Sequence, residues 1–135
     1  RLPGVVGAGL VTLGRPWLST VLAKALANET IDIYNGNSLF NNVIDPCEIG
    51  RAGTAVIDRF DGEVGLFNVA ASEPIPLREV VERIVEGAGS NSDIVDKPTD
   101  AVSFFINTAR IREALSYSAA STTEIIDRFV RDNTQ

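Results

Sequence analysis

The chain has 135 residues, the length of a single domain, and its hydrophobic content of 44% is enough for a buried core. Its net charge of -6 argues against nucleic acid and anionic membranes as partners, and no apolar run approaches the roughly 20 residues of a membrane-spanning helix. Histidine is absent, which excludes histidine-based catalysis and the commonest zinc sites, and a single cysteine excludes an internal disulfide and fits a cytoplasmic protein.

The first elements in chain order are a strand, a helix and a hairpin. Arg1 to Gly7 predicts a buried strand, and because an apolar strand needs partners on its edges, we expect the chain to derive from a longer parent. Apolar residues recur at helical spacing from Trp17 to Leu26. Ile31 to Tyr34 alternates as a half-buried strand, and the turn signal Asn35-Gly36 predicts a hairpin with the run Leu39 to Ile44.

The middle of the chain predicts a helix, a strand and a second helix. Asp45 is a typical N-cap, since Pro46 follows at the first helical position and Glu48 at the third. Val64 to Ala70 is an unbroken apolar run, typical of a strand in the middle of a parallel sheet. Apolar residues at helical spacing from Leu77 to Val85 predict the helix that comes next.

The last third predicts shorter elements and one long helix. Short strands are expected near Ile94-Val95 and at Phe104 to Ile106, followed by a brief helix from Thr108 to Leu115. Ser121 and Glu124 form a capping box that starts the last helix. Because strands alternate with helices throughout, the sequence predicts an α/β fold with parallel strand pairing.

Two local motifs resemble functional sites and are interpreted here as structural. Gly4, Gly7 and Gly9 are spaced G-x-x-G-x-G, the reverse of the dinucleotide fingerprint, so we expect them to serve backbone geometry. Cys47 lies at a predicted helix start, where the helix dipole can activate a thiol, but Glu48 beside it opposes that effect. We therefore expect Cys47 to be a small buried residue without a catalytic role.

Five segments, in this order, resemble the C-terminal half of an NAD-dependent epimerase/dehydratase of the extended short-chain dehydrogenase/reductase family. They are RLPGVVG, WLSTVLAKALANE, LFNNVIDPCEIGRA, GLFNVAASEPIPLREVVERI and INTARIREALSYSAAS, and the resemblance covers essentially the whole chain. It implies the C-terminal part of a Rossmann-type parallel sheet plus a small α+β substrate-binding lobe. Residues 1–14 and 42–70 would belong to the sheet, and residues 15–41 and 71–135 mainly to the lobe.

The resemblance also implies where a cofactor and a substrate would lie. Pro3, Gly4, Val5 and Val6 would border the nicotinamide of NAD or NADP bound to the complete parent. Asn41 stands at or near the place of an arginine that grips the diphosphate in nucleotide-sugar members, and a neutral amide cannot make that charge-assisted contact.

A second expected substrate contact is Lys97, in a loop where such members carry an Arg-Pro-Gly-Asp-like sequence and this chain has Lys-Pro-Thr-Asp. The two departures at Asn41 and Lys97 disfavour a UDP-sugar and leave a smaller sugar, or another alcohol or ketone, as the small-molecule substrate. The charges in and beside this loop are either an anion site or ordinary surface charge; they are Lys97, Asp100, Arg110 and Arg112.

The family's catalytic groups have no counterpart in the sequence. The family's general acid/base is a tyrosine followed four positions later by lysine, whereas Tyr34 is followed there by Ser38 and Tyr117 by Ser121. The glycine fingerprint of the family is also missing. We therefore predict no catalytic residue and no metal ligand in this chain, and no activity or tight cofactor binding by the chain alone.

The leading hypothesis is the substrate-lobe portion of an NAD(P)-dependent sugar-type epimerase, dehydratase or reductase. The alternatives are a non-catalytic dinucleotide-sensing or binding member of the same fold, and a structural module without a ligand. NAD and NADP stay open, because the residues that read the ribose 2′ position belong to the other half of such enzymes. An apolar sheet edge predicts self-association or pairing with the missing N-terminal half.

Overall fold

Five helices and six short strands make up the part of the chain that the computed structural model describes, residues 1–9, 17–59 and 65–135. The helices are α1 (Trp17–Leu26), α2 (Pro46–Asp58), α3 (Leu77–Gly87), α4 (Ala109–Leu115) and α5 (Thr122–Thr134). The strands are β1 (Gly4–Val5), β2 (Ile31–Tyr34), β3 (Leu39–Phe40), β4 (Val43–Ile44), β5 (Ile75–Pro76) and β6 (Ile94–Lys97). Among these helices, none is both long and apolar enough to cross a bilayer.

The six strands pair two by two. β1 lies parallel to β4, with Gly4 opposite Val43, and β2 lies parallel to β6, with Ile31 opposite Ile94. β3 and β5 form the antiparallel pair, with Phe40 opposite Ile75. Parallel pairs whose strands are separated by helices in the chain confirm the predicted α/β class.

The core lies between three helices and the strand pairs β1–β4 and β2–β6. α3 packs against both α1 and α5 and contributes Val80, Val81 and Ile84, all fully buried. Helical spacing had predicted these faces because residues three and four apart share one side of a helix. The fully buried partners on the neighbouring elements include Leu22 and Ala25 of α1 and Ile125 and Ile126 of α5.

Both predicted helix starts are confirmed. Asp45 has extended backbone and its Oδ1 accepts a hydrogen bond from the Glu48 N–H at 2.8 Å, with Pro46 as the first helical residue. Ser121 accepts from the Glu124 N–H at 3.2 Å, and the Glu124 carboxylate accepts from the Ser121 N–H at 2.9 Å, which completes the capping box. In each case short-range groups satisfy amides that the helix leaves unpaired.

The predicted hairpin is wrong, although its turn is present. Asn35 has a φ of 58° and its carbonyl accepts from the Ser38 N–H, so the chain does reverse here. The flanking strands then pair with distant partners, β2 with β6 and β3 with β5. Gly36 lies beside β6, where an added Cβ would come within 2.6 Å of an Asp96 carboxylate oxygen.

Three predicted strands are shorter than expected or are not strands. The opening strand is limited to Gly4–Val5. The run predicted at 64–70 forms no strand over 65–70, and Leu66 is 56% exposed; Val64 lies outside the described residues. The run Phe104 to Ile106 is irregular as well. Isolated main-chain hydrogen bonds replace a ladder at 65–70, such as the one that the Val69 N–H donates to the Arg1 carbonyl at 3.0 Å.

Candidate functional site

The strand pair β1–β4 carries the residues expected to border a cofactor. Pro3 and Val5 are half-buried and Gly4 is exposed, so all three keep surface that a ligand can reach. Val6 differs, because its side chain is buried in the core and its N–H donates to the Ile44 carbonyl at 2.9 Å. The accessible part of this candidate cofactor surface is therefore Pro3 to Val5.

The loop between β3 and β4 lies directly against this surface. A Cβ built on Gly4 would lie 3.4 Å from the main-chain oxygen of Asn42, an ordinary van der Waals contact. The parallel register places Gly4 opposite Val43, the next residue in the chain. The structure thus brings the neighbourhood of Asn41 beside the predicted cofactor residues.

Asn41 itself holds main chain together. It is 2% exposed, and its Nδ2 donates to the carbonyls of Ala71 at 3.0 Å and Ile106 at 2.9 Å. Its Oδ1 accepts from the Ile106 N–H at 2.7 Å. Both amide protons are used inside the protein, a structural role that the sequence reasoning missed, and contact between Asn41 and a substrate stays a prediction.

Asparagine side chains bond the main chain of four of the seven residues 101–107, which we call the clamped segment. Besides Asn41, three asparagines donate to its carbonyls: Asn35 to Ala101 at 2.9 Å, Asn42 to Phe104 at 3.3 Å and Asn68 to Asn107 at 3.2 Å. Its apolar side chains face solvent, since Val102 is 92% exposed, Phe104 68% and Phe105 52%. The main chain of the clamped segment is held while its large apolar side chains stay free.

Lys97 lies apart from this region, on the strand pair β2–β6. It stands opposite Tyr34 in the register, and its Nζ lies 3.5 Å from Oδ1 of Asp32. Both side chains are partly exposed, so the ion pair is a weak surface interaction. A role for Lys97 in substrate binding stays a prediction.

A buried carboxylate forms a second polar cluster, which the sequence reasoning did not predict. Glu48 is 1% exposed, and its carboxylate accepts from the Tyr117 hydroxyl at 3.0 Å and from Arg51 at 2.9 Å. Arg128 of α5 lies 3.5 Å from Glu48 and 3.0 Å from the N-cap Asp45. These contacts tie the first turn of α2 to α5.

The cluster shifts the pKa values of Glu48 and Tyr117 in opposite directions. Burial raises the pKa of Glu48, but hydrogen bonds from Tyr117 and the main chain of Ala120, with the Arg51 charge, outweigh it and lower the pKa overall. The pKa of Tyr117 is raised, first by burial and then by the hydrogen bond to Glu48. Tyr117 is thus held as a neutral hydrogen-bond donor, unlike a tyrosine poised to give up its proton near neutral pH.

The outer side of α2 borders an apolar groove of about 290 Å³. Phe67 is one of its lining residues, and the Arg110 guanidinium lies 5.5 Å from the centre of the Phe67 ring. Cys47 at the start of α2 is exposed, so the prediction of a buried thiol is wrong. No group of three or more metal-ligating side chains is present among the described residues. The apolar residues that line the groove include Leu2, Ile49, Val56, Leu66 and Val69.

Comparison with known proteins found similarity in structure. No protein-family model and no curated protein sequence matches the chain. An epimerase from Methanothermobacter thermautotrophicus superposes with a TM-score of 0.79 at 20% identity, over 98% of this chain and 41% of that one. UDP-glucose 4-epimerase from Thermotoga maritima, solved with UDP-glucose, gives a TM-score of 0.73 at 17% identity, over 98% of this chain and 44% of that one.

A third solved structure is similar in the same way. The Bordetella bronchiseptica enzyme WbmG, solved with NAD and UDP, gives a TM-score of 0.73 at 16% identity, over 98% of this chain and 41% of that one. The chain thus spans less than half the length of each of these three structures. At identities this low, the structural similarity establishes the fold and leaves the activity open. The chain has the α/β fold of the C-terminal part of Rossmann-type NAD-dependent epimerases.

Proposed function

We propose that this chain is the substrate-lobe portion of an NAD(P)-dependent sugar-type epimerase, dehydratase or reductase. The observation that supports the proposal most is the coverage: 98% of the chain superposes on 41% of an enzyme that was solved with both NAD and UDP. A chain of this kind would supply one wall of an active site whose remaining groups come from elsewhere in the parent.

In this proposal β1 borders the nicotinamide through Pro3, Gly4 and Val5, the residues that keep accessible surface. The bound nicotinamide would accept or donate a hydride. Asn41 would act from behind this surface, because its amide joins the β3–β4 loop to Ala71 and Ile106. The other predicted substrate contact, Lys97, would act from the strand pair β2–β6.

The general acid/base would come from the other part of the parent. Neither Tyr34 nor Tyr117 has a lysine four positions later. The Tyr117 hydroxyl is engaged by Glu48, and its pKa is raised by burial. We therefore propose that the chain alone has no activity and that a cytoplasmic parent completes the site.

Calorimetric titration of the chain with NAD and with NADH tests this proposal. We expect weak binding or none, because the pyrophosphate of such cofactors is bound by the first βα turn of a Rossmann fold. Micromolar binding to the chain alone would contradict the proposal that the cofactor is bound mainly by the other part of the parent. The reading frame upstream of Arg1 gives a second test: a glycine fingerprint with Tyr-x-x-x-Lys supports an enzyme, and a fingerprint without that pair supports the dinucleotide sensor.

A further inference from the structure

We propose that the clamped segment, residues 101–107, binds the apolar part of an uncharged, aryl-bearing alcohol or ketone. This inference rests on the proposed function, because it names the substrate class of the same site. It departs from UDP-glucose, the nucleotide sugar with which one structural neighbour was solved. It is supported by an irregular segment whose main chain is held by side-chain hydrogen bonds and whose aromatic side chains are exposed.

The clamped segment is held by hydrogen bonds from side chains. Four asparagine side chains bond its main chain, at Ala101, Phe104, Ile106 and Asn107. An irregular segment anchored in this way loses its main-chain freedom when the protein folds. A ligand would not have to order it again, which is the preorganisation that favours binding.

The clamped segment exposes large apolar side chains. Phe104 and Phe105 are more than half exposed, and Val102 is almost fully exposed. Adjacent large apolar side chains on a soluble surface are a feature of ligand or partner sites. Phenyl rings bind other rings and flat apolar groups through their faces and edges.

The clamped segment carries no basic side chain. Residues 98–107 contain no Lys or Arg, and their one ionisable side chain is Asp100. On one side of the segment the Lys97 amine lies 3.5 Å from Asp32, and on the other the Arg110 guanidinium lies over the Phe67 ring. A diphosphate needs charge-assisted donors, which this segment does not carry. The surface therefore suits an uncharged ligand.

The clamped segment lies beside the proposed cofactor surface, and this location favours a small substrate over a protein partner. Asn42 donates to the Phe104 carbonyl, and the next residue, Val43, lies opposite Gly4 in the parallel pair β1–β4. The clamped segment is thus joined through Asn42 and Val43 to the surface proposed to border the nicotinamide. A substrate must place its reacting carbon beside that ring, so its apolar part can reach the clamped segment.

NMR titration of the full chain labelled with ¹⁵N tests the inference, with 4-phenyl-2-butanone as the uncharged probe and UDP-glucose as the competitor. We expect the ketone to shift amides of residues 101–106. Replacing both rings, Phe104→Ser with Phe105→Ser, should weaken binding about ten-fold. The matched control is Ile57→Ser, which removes a 78% exposed apolar side chain from α2 and should leave the affinity unchanged.

Three results would overturn the inference. They are no shift with the ketone, tighter binding of UDP-glucose to the same amides, and shifts of these amides with protein concentration alone, which would show a second copy on the surface. Tighter UDP-glucose binding would still agree with the proposed function. That function fails instead on micromolar binding of NAD to the chain, so the two failures are distinguishable.

Discussion

At the scale of single residues, Asn41 has the most completely used side chain near the candidate site. Both its donors and its acceptor are engaged by main chain of Ala71 and Ile106. Asparagine suits this position because it offers two donors and an acceptor on one planar group. The same amide thereby fixes β4 and the clamped segment relative to each other.

We predict that Asn41→Asp lowers the free energy of unfolding by about 3 kcal/mol, because a carboxylate would face two carbonyl oxygens in a buried site. Urea denaturation followed by circular dichroism measures the change. Asn37→Asp is the matched control, since Asn37 is exposed, and should alter stability by less than about 0.5 kcal/mol. Equal stability of the two variants would show that the Asn41 amide does not hold the site.

Glu48 predicts an acid dependence of stability. Its folded pKa lies below the ordinary value of 4.5, so its charged form adds stability above about pH 4.5 that is lost as the pH falls through the lower folded pKa. Glu48→Gln should cost about 1 to 2 kcal/mol at pH 7, since it removes the charge that pairs with the partly exposed Arg51 and Arg128, and Arg128 keeps its ion pair with Asp45. The variant should also lose less stability than the natural chain between pH 6 and pH 3.

Urea unfolding at a series of pH values measures both effects. Glu86→Gln, at an exposed position in the last turn of α3, is the control and should keep the acid dependence of the natural chain. If Glu48→Gln and the natural chain lose stability in parallel below pH 6, Glu48 is not the group that carries the dependence.

At the scale of elements, the start of α2 combines two interactions of Asp45 that substitutions can separate. Its Oδ1 caps the helix, and its Oδ2 lies 3.0 Å from Arg128. Asp45→Ala removes both and should cost about 1 to 2 kcal/mol, whereas Asp45→Asn keeps the cap and loses the charge. We expect thermal unfolding to show the larger loss for alanine. Equal losses would assign the stabilisation to the ion pair.

The exposed face of α2 carries two glycines that the described structure does not explain by packing. A Cβ on Gly50 or Gly53 would meet no described atom within 4 Å. Replacing each by alanine should therefore raise stability by roughly 0.5 to 1 kcal/mol, because alanine loses less freedom in a helix. Gly87→Ala in α3 is the contrast, since its Cβ would lie 2.9 Å from Val130.

Thermal unfolding of the three glycine variants separates these cases. Gly50→Ala and Gly53→Ala should raise the melting temperature, and Gly87→Ala should not. A loss of stability in Gly50→Ala would contradict this prediction. Gly53 also lines the apolar groove beside α2, so a loss in Gly53→Ala alone would mean that the groove is covered in solution, by another copy of the chain or by part of a parent.

The elements that the sequence predicts correctly are those whose signals are local. The caps at Asp45 and Ser121 and the apolar faces of α1, α3 and α5 depend on residues within four positions of one another. The hairpin failed because the pairing of Ile31 to Tyr34 with Ile94 to Lys97 crosses more than 50 residues, and no local signal contains it. The prediction of a strand at Phe104 to Ile106 failed because a strand-like composition also occurs in an exposed segment held by side chains.

The candidate site follows the same division. The sequence suggested Gly4 and Asn41 separately, and the structure brings their neighbourhoods together. It did not suggest that Glu48 is buried, because the partners Tyr117 and Arg128 lie about 70 and 80 residues away. The one available signal was an unusual position, since Glu48 precedes the buried Ala52 by one helical turn.

At the scale of the whole molecule, the apolar groove beside α2 predicts how the chain behaves in solution. Leu2, Val56 and Leu66 line it and are all substantially exposed, and Ile57 on the same helix is more exposed still. Few main-chain hydrogen bonds join the described residues at this edge: the Arg1 amino group donates to the Phe67 carbonyl, and the Val69 N–H donates to the Arg1 carbonyl. Apolar surface beside a poorly paired edge favours association with another chain.

We predict that the purified chain self-associates, so that its apparent mass in light scattering rises above that of a monomer as the concentration increases. Leu66→Asp should shift the chain toward monomer, because burying a carboxylate in the groove costs several kcal/mol without a partner. Val102→Asp also adds a charge at an exposed apolar position, but outside the groove, and should leave the mass unchanged. A monomer at every concentration, with slowly exchanging amides at Gly4 and Val5, would show that the chain covers its own edge and that the groove needs no partner.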